Sequence, residues 1–305
     1  MTRILVYGSL NIDMVFAVDH IVLPGETVSS SSFTRNAGGK GANQAAALGK
    51  AGMNVFLAGK IGADGKFILP LLGSYGVDTG NVAVYEGATG NALIQVDRNG
   101  QNSIVLYPGG NGDISVSEVE RVISAFGAGD FLVAQNEIAH TGEIINAAKK
   151  RGLKVHFNPS PYDEKVEALP LDNVDCFFVN ELEGAALAGL PKDAPPAAAL
   201  DKLVKRFPKA EIILTAGKNG AYYGQAETRE YAAIVDAPVV DTTGAGDTFT
   251  GYFLAALVKG MTVRAALETA SKASSITVSR RGAMESVPFA VEVFGSRLFH
   301  VEGGN

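Results

Sequence analysis

Short apolar segments alternate with helix-forming segments along most of this chain, and glycine-containing turns separate them. The first apolar segment, residues 4–7, ends at Gly8, and comparable segments are 55–58, 131–134, 154–157, 176–179 and 211–214. The helix-forming segments are 41–50, 65–72, 116–126, 142–150, 181–188, 197–206, 249–259 and 263–278. Buried parallel strands are typically short and apolar, and helices connect them across both faces of their sheet. The alternation therefore predicts an α/β fold of three layers (αβα), with a mostly parallel central sheet.

Two β-rich regions interrupt the alternation. Residues 15–18 and 29–35 form the first, and residues 92–97 and 104–107 form the second, where Arg98-Asn-Gly-Gln101 is typical of a hairpin turn. We predict that residues of about 12–35 and 88–108 build a small second sheet, inserted in a single domain of residues 1–305. A further hairpin is predicted over 221–223 and 230–234, and the tail Glu302-Gly-Gly-Asn305 is expected to fray.

The composition excludes several classes of function. Of 305 residues, 47% are hydrophobic and 19% are charged, and the formal net charge of −6 argues against a nucleic-acid partner. The single cysteine, Cys176, precludes an internal disulfide, and the four histidines lack the spacing of a zinc site. No segment reaches membrane-spanning length or resembles a signal peptide, so a cytoplasmic protein is expected.

The segment Val239-Val-Asp-Thr-Thr-Gly-Ala-Gly-Asp-Thr-Phe-Thr-Gly251 concentrates the chemistry. Gly244, Ala245 and Gly246 precede an apolar helix, and free backbone N–H groups at a helix N-terminus favour an anion. Asp247 then lies in the first turn, where a carboxylate beside an anion hole would suit a general base for phosphoryl transfer. The alternative is that the aspartate merely caps the helix.

Other polar residues follow strands, at the edge where open α/β sheets bind ligands. Asn11 and Asp13 follow the first strand and suit recognition of vicinal hydroxyls, although a turn or a helix cap would use the same residues. Gly38-Gly-Lys-Gly-Ala-Asn43 is a glycine-rich turn that opens a helix, with Lys40 and Asn43 directed to the same cleft or simply solvated. Glu137 ends a buried strand and is either functional or solvated.

The common nucleotide motifs are missing. Gly-Lys occurs at 39–40, 59–60 and 217–218, but no Ser or Thr follows to complete a P-loop, and the first strand is not followed by Gly-x-Gly-x-x-Gly. A nucleotide would therefore be held in another way. A nicotinamide-dependent oxidoreductase is disfavoured for the same reason, whereas a non-catalytic sugar or nucleotide sensor would keep the pocket without needing Asp247 as a base.

Two segments resemble the signatures of one family, the ribokinase-like (PfkB) carbohydrate kinases. They are Asp241-Thr-Thr-Gly-Ala-Gly-Asp-Thr-Phe249 and Asn36-Ala-Gly-Gly-Lys-Gly-Ala-Asn43, and the resemblance extends from Ile4 to Pro288. It implies a β-sheet lid over the sugar and ATP-dependent phosphorylation of a primary hydroxyl of a free sugar. D-ribose, giving ribose 5-phosphate, is the first candidate, and fructose, another free sugar or a nucleoside is the alternative. It also implies a homodimer formed through the lid strands.

The resemblance assigns roles to residues that match the family's motifs. The sugar-binding set is Asn11, Asp13, Gly39, Lys40, Asn43, Glu137 and Asp247. The nucleotide-binding set is Asn180, Thr215, Gly217, Gly220 and Gly246. Glu183, in Asn180-Glu-Leu-Glu183, is implied to act with Mg²⁺, and the K⁺ set is Asp241, Thr243, Thr277, Arg280, Gly282 and Ser286. From the residues alone, Asn180 and Glu183 equally suit a helix N-terminus, and the turn at 215–220 equally suits a simple hairpin.

Overall fold

The computed structural model describes residues 2–295, so the predicted frayed tail lies outside the described residues. Within this range the strands are β1 (Ile4–Tyr7), β2 (Asn11–Ala17), β3 (Ser32–Gly38), β4 (Val55–Gly62), β5 (Val77–Tyr85), β6 (Gly90–Val96), β7 (Asn102–Tyr107), β8 (Phe131–Gln135), β9 (Lys154–Asn158), β10 (Cys176–Asn180), β11 (Glu211–Thr215), β12 (Ala221–Gln225) and β13 (Thr228–Ala232). Nine of them form one sheet in the order β13-β12-β11-β10-β9-β8-β1-β4-β5. Every pairing is parallel from β5 to β11, and the β12–β13 hairpin adds an antiparallel edge.

Helices cover both faces of this sheet. They are α1 (Lys40–Lys50), α2 (Ile68–Ser74), α3 (Val116–Ser124), α4 (Thr141–Lys150), α5 (Glu181–Leu187), α6 (Pro196–Arg206), α7 (Ala245–Val258), α8 (Val263–Val278) and α9 (Ala290–Phe294). Along β1, Leu5 and Tyr7 pack in the core shared with α3 and α4, whereas Ile4 and Val6 pack in the core shared with α1 and α2. Alternate side chains of a strand thus enter opposite layers. The predicted αβα architecture is confirmed. Among the described residues, no helix combines the length and the apolar character that a membrane crossing requires.

A second, four-stranded sheet has the order β3-β2-β6-β7. β2 and β6 pair in parallel, and the two outer pairings are antiparallel. Its strands come from the two chain regions that the sequence set apart from the alternation. We refer to this sheet as the lid sheet.

The sequence missed one strand of the larger sheet and the short helix α9, and it displaced one helix. β5 contains Asp78, Gly80 and Asn81 and lies at the edge of the sheet, where side chains are only partly buried. An edge strand lacks the continuous apolar run that identifies a central strand. α2 begins at Ile68, after a short 3₁₀ turn at Ala63–Gly65, and not at residue 65 as the pattern predicts.

The close approach of α7 to α1 positions the candidate site. At Gly251 of α7, a Cβ atom would lie only 2.5 Å from the Cβ of Ala47 in α1. A glycine is therefore needed for these helices to pack at this separation. One turn before each contact residue, α1 carries Asn43 and Gln44 and α7 carries Asp247, so the packing brings these polar side chains together.

A buried lysine joins the end of α1 to a distant loop. Lys50 is 4% exposed, and its Nζ donates hydrogen bonds to the carbonyl oxygens of Met284 (2.7 Å) and Val287 (2.9 Å). The ammonium group also lies 4.1 Å from the ring centroid of Tyr75. Because a buried charge is stable only when it is paired or hydrogen-bonded, these carbonyl oxygens hold the loop at 284–287 against α1.

Candidate active site

Asp247 lies in the first turn of α7 and is 7% exposed. One carboxylate oxygen accepts a hydrogen bond from Nδ2 of Asn43 at 3.0 Å, and the other accepts one from Nε2 of Gln44 at 2.9 Å. Both donors come from α1. The carboxylate is therefore held in one orientation by neutral amides, with no cation bonded to it among the described residues. The Oδ1 atom of Asn43 is buried and has no hydrogen-bond partner among residues 2–295. An acceptor in this position suits a hydroxyl group of a ligand.

The N-terminus of α7 presents backbone donors beside this carboxylate. Gly244 is the N-cap, with a left-handed φ of 75°, and Thr248 donates the first helical hydrogen bond to its carbonyl oxygen. The N–H of Ala245 donates a long bond to the carbonyl oxygen of Thr242 at 3.3 Å. The N–H groups of Gly244 and Gly246 have no acceptor within residues 2–295. Two of the three amides predicted to bind an anion are thus unengaged, and the third is weakly engaged.

Glu137 lies after β8, beside the N-terminus of α1. Its carboxylate accepts hydrogen bonds from the hydroxyl of Ser9 and from the backbone N–H of Lys40, the latter at 3.1 Å. Burial raises the pKa of Glu137, although the Lys40 ammonium and these bonds oppose the rise. Burial alone would lower the pKa of Lys40, but the charges of Asp247, Glu137 and Glu183 outweigh it and hold that pKa above its usual value. Lys40 and Glu137 therefore share one cleft with Asp247.

Asp13 and Asn11 lie on β2 of the lid sheet, and not in a loop after the first strand. Burial, followed by the negative charges of Glu137, Glu285 and Asp247, raises the pKa of Asp13 to about 6. Asn11 is 7% exposed, and its Oδ1 accepts a hydrogen bond of 2.7 Å from Nδ2 of Asn111. The lid sheet thus places Asp13 beside Gly38 and Asn11 beside Gly39, at the turn that opens α1.

Gly38 has no room for a side chain, because a Cβ atom there would lie 2.0 Å from Oδ2 of Asp13. We expect Gly38→Ala to displace the Asp13 carboxylate. If the substrate is the free sugar that the family resemblance implies, its KM should rise at least tenfold, roughly the loss of one charge-assisted hydrogen bond. Steady-state kinetics measure this. Gly73→Ala in α2 is the matched control, since a Cβ there meets nothing within 4 Å. An unchanged KM in Gly38→Ala would contradict the placement of Asp13.

Asn180 and Glu183 lie at the start of α5 and hold each other. Oδ1 of Asn180 accepts hydrogen bonds from the N–H groups of Leu182 and Glu183, and the Glu183 carboxylate accepts one from the N–H of Asn180 at 3.1 Å. This is a capping box, the structural alternative that the sequence left open. The charge of Glu183 is nevertheless one of those that raise the pKa of Lys40.

Thr215 ends β11, and a 3₁₀ turn at Gly217–Asn219 leads into β12. Gly217 and Gly220 have positive φ values of 47° and 82°. A Cβ at Gly220 would lie 2.4 Å from the carbonyl oxygen of Ala232 in β13, so a glycine is required there. The turn lies at the carboxyl end of β11, beside Asn180 at the end of β10.

Asp241 joins two loops near the start of α7. One of its oxygens accepts bonds from the N–H and the hydroxyl of Thr243, and the other accepts a bond of 3.1 Å from the N–H of Gly282. Burial alone would raise the pKa of Asp241, but these bonds hold it below its usual value. Ser286 is 1% exposed and donates to the carbonyl oxygen of Ala283. Three residues of the predicted K⁺ set are therefore in direct contact, because Asp241 binds both Thr243 and Gly282.

The remaining members of that set surround these loops. Thr277 shares a hydrogen bond of 3.0 Å with Thr248 of α7, and its carbonyl oxygen accepts one from the N–H of Arg280. The Arg280 guanidinium pairs with Glu292, so its side chain is directed to α9. Among the described residues, no group of three or more His, Cys, Asp or Glu side chains is arranged to hold a metal ion.

Four polar residues of this region escaped the sequence-based prediction: Ser9, Gln44, Asn111 and Gln135. Each lies beside a residue that was recognised, or at the end of a buried apolar strand. Gln135 is 0% exposed although it ends β8, and Asn111 is 3% exposed although it follows Gly109-Gly110. A polar side chain directly after a buried strand or a glycine pair is a signal that would have found the last two.

Comparison with known proteins identifies the family to which this chain belongs. The model of the pfkB family carbohydrate kinases matches residues 1–290. The chain belongs to this family. A ribokinase of Schizosaccharomyces pombe is 36% identical over 97% of this chain and 98% of that one. A bifunctional ribokinase/ribose-5-phosphate isomerase A of Fructilactobacillus sanfranciscensis is 35% identical over 94% of this chain, which spans about half (55%) of that protein.

A solved structure agrees with these relatives. The ribokinase of Arabidopsis thaliana, complexed with ribose and ATP, is 30% identical and superposes with a TM-score of 0.84, covering 96% of this chain and 97% of that one. The predicted fold and family are confirmed. As a carbohydrate kinase, the protein is a phosphotransferase that uses an alcohol group as acceptor.

Proposed function

We propose that this protein is an ATP-dependent kinase of a free sugar, and that it converts D-ribose to ribose 5-phosphate. The observation that carries the proposal is the position of Asp247, between two α1 amides and beside the unengaged N–H groups of Gly244 and Gly246. The full-length similarity to ribokinases supports ribose. Asp13 and Glu137 make the pocket anionic, which disfavours a sugar that is already phosphorylated.

In the proposed mechanism, Asp247 takes the proton from the primary hydroxyl of the sugar as that oxygen attacks the γ-phosphorus of ATP. The amides of Gly244, Ala245 and Gly246 stabilise the charge on the transferring group. Asn11, Asp13, Gly39, Lys40, Asn43 and Glu137 bind the sugar. Closure of the lid sheet excludes water and limits hydrolysis of ATP.

The nucleotide is proposed to lie along the carboxyl ends of β10 and β11. Asn180, Thr215, Gly217, Gly220 and Gly246 are the proposed contacts. The steric demand at Gly220 supports this, because a glycine-lined turn lets a ligand approach the backbone. Mg²⁺, when bound, neutralises charge on the phosphates, and Glu183 is the proposed partner, since Mg²⁺ commonly uses one carboxylate together with phosphates and water.

A K⁺ site is proposed between the two loops that Asp241 joins. The residues fit a monovalent cation, because the ionised carboxylate of Asp241 lies against a loop with carbonyl oxygens at 280–286. The proposed set is Asp241, Thr243, Thr277, Arg280, Gly282 and Ser286, with Arg280 contributing through its backbone. A Cβ at Gly244 would lie 3.3 Å from Cα of Ala283, so this loop packs against the N-terminus of α7. A cation there would order this loop and would add positive charge beside the anion that the helix N-terminus is proposed to bind.

We also propose that residues 1–305 form one domain, and that two copies associate through their lid sheets in the cytoplasm. The outer strand β7 supports the dimer. Its residues Ile104, Val105, Leu106 and Tyr107 are each more than half exposed, and within residues 2–295 it pairs only with β6. An apolar edge strand of this kind calls for cover.

A panel of free sugars and nucleosides, assayed for coupled release of ADP, tests the proposed function. D-ribose is expected to give the highest kcat/KM, with fructose and nucleosides well below it, and added K⁺ is expected to raise the rate. If no free sugar or nucleoside produces ADP above the background hydrolysis of ATP, the proposed function is wrong. Faster turnover of fructose or of a nucleoside would reassign the substrate within the same reaction.

A further inference from the structure

Two fully buried glutamines lead away from Asp247 into the core. Gln44 of α1 and Gln135 at the end of β8 are both 0% exposed. Nε2 of Gln44 donates to Oδ1 of Asp247 at 2.9 Å, and Oε1 of Gln44 accepts from Nε2 of Gln135 at 2.7 Å. The three side chains therefore form one hydrogen-bonded chain, which we call the glutamine relay.

The direction of the relay follows from the charge of Asp247. An ionised carboxylate only accepts hydrogen bonds, so Gln44 must direct its NH₂ group to it. The oxygen of Gln44 then faces Gln135, which must in turn present its own NH₂ group. Oε1 of Gln135 is left without a partner among the described residues. The opposite orientation would let Oε1 of Gln135 accept from Nε2 of Gln44, but it would place the oxygen of Gln44 against the carboxylate of Asp247, where neither group can donate.

The surrounding backbone holds the relay in place. A Cβ at Gly8 would lie 2.0 Å from Oε1 of Gln135, so only glycine at the end of β1 admits that side chain. Gln44 lies on the α1 face that Gly251 allows to approach α7. Neither glutamine touches solvent. A buried polar chain with one unsatisfied end is unusual for a purely structural contact, because buried polar groups normally find partners.

We propose that Gln44, supported by Gln135, is a positioning residue whose hydrogen bond favours the carboxylate form of Asp247 and directs it toward the sugar hydroxyl. This inference rests on the proposed function for its kinetic consequence. Asn43 donates to the other carboxylate oxygen and is also a proposed sugar contact, so its replacement would affect sugar binding as well. Of the proposed site residues, the relay glutamines hydrogen-bond only to Asp247. The charged groups that act on the same cluster are Lys40, Asp13 and Glu137. All three remain in place when either glutamine is replaced.

Kinetics of Gln44→Met and Gln135→Met test the positioning role. Loss of one hydrogen bond to a carboxylate predicts a fall in kcat of about 10- to 100-fold for Gln44→Met, with the KM for the sugar changed less than about threefold. The acid limb of the pH–kcat profile is expected to move up by about one pH unit. Gln135 contacts Gln44 and not Asp247, so Gln135→Met should change the kcat and the acid limb in the same directions but by smaller amounts.

Gln225→Met at the far edge of the sheet is the matched control, and it should leave the kcat and the pH profile as in the wild type. A direct readout, independent of turnover, is the ¹³C chemical shift of the Asp247 carboxyl carbon in aspartate-labelled protein, assigned by comparison with Asp247→Asn. The midpoint of the pH titration of this chemical shift should lie at higher pH in Gln44→Met than in the wild type. If Gln44→Met fails to fold, Gln135→Met decides by the same measurement.

A midpoint equal in both glutamine variants and the wild type would overturn the relay, whatever happens to thermal stability. If the wild type phosphorylates no sugar, the proposed function fails, and the carboxyl titration still decides whether the relay acts on Asp247.

Discussion

Asp247→Asn is expected to lower kcat for the sugar by about 10²- to 10⁴-fold while the Kd for the sugar changes little, the range typical of a lost general base. An amide has nearly the shape of the carboxylate. Its oxygen can still accept from Gln44, and its NH₂ group can donate to Oδ1 of Asn43 once the side-chain amide of Asn43 turns over. The amide at position 247 cannot take the hydroxyl proton. The effect should therefore appear in kcat and not in binding.

Coupled ADP release measures the turnover, and calorimetry with the sugar measures the binding. Asp236→Asn is the control, because Asp236 lies exposed in the loop before α7 and should behave as the wild type. A variant at position 247 that retains wild-type kcat would remove Asp247 from the mechanism and would favour the capping role that its place in the first turn of α7 also permits.

Asp13→Asn is expected to abolish measurable sugar binding and yet to stabilise the ligand-free protein at neutral pH. Burial and the neighbouring acids raise the pKa of Asp13 from 3.8 to about 6, so the folded state holds this carboxylate at a cost whenever it is ionised. This rise in the pKa of Asp13 corresponds to a loss of at most about 3 kcal/mol in the free energy of unfolding. Asparagine removes the charge and hence the cost, but it cannot accept two sugar hydroxyls as a carboxylate can.

The sign of the pH dependence makes the second prediction specific. Well below the unfolded pKa of 3.8, both folded and unfolded wild-type chains carry a protonated Asp13, so the variant gains nothing. As the pH rises from about 4 to about 6, the folded state binds more protons than the unfolded one, and the wild type loses stability relative to Asp13→Asn. Urea denaturation at pH values of about 4, 5 and 7, a range that spans the two pKa values, measures the difference in free energy of unfolding between Asp13→Asn and the wild type. This difference should grow as the pH rises. A difference in free energy of unfolding that does not change with pH would show that the ionised carboxylate of Asp13 does not destabilise the folded state.

Much of the larger sheet follows from local sequence. β1, β4, β8, β9, β10 and β11 are short apolar runs because both their faces are buried, and burial on both faces is what such a run records. β5 fails this test because it lies at an edge. The lid strands were located by their departure from the alternation, but their order, with β2 between β3 and β6, depends on pairing between distant segments.

The candidate site divides in the same way. Asp247, Lys40 and Asn43 occur in glycine-rich turns at helix starts, and turns of this composition indicate ligand binding from the residue pattern alone. Gln44 and Gln135 carry no such mark. They are ordinary polar residues in a helix and at a strand end, and 91 positions separate them along the chain. Only the fold shows that they meet Asp247.

From the order of its residues alone, this chain determined its layers, its turns and the acid that we place at the centre of the chemistry. Periodic burial and the conformational demands of glycine act over a few neighbouring residues, so they can be recognised in the sequence. The tertiary structure alone decided what surrounds that acid: the amides of α1, the unengaged N–H groups of α7, and Asp13, whose pKa is raised by burial and then by the neighbouring carboxylates. These contacts depend on how closely α1 and α7 approach, and that distance is set by packing between residues some 200 positions apart.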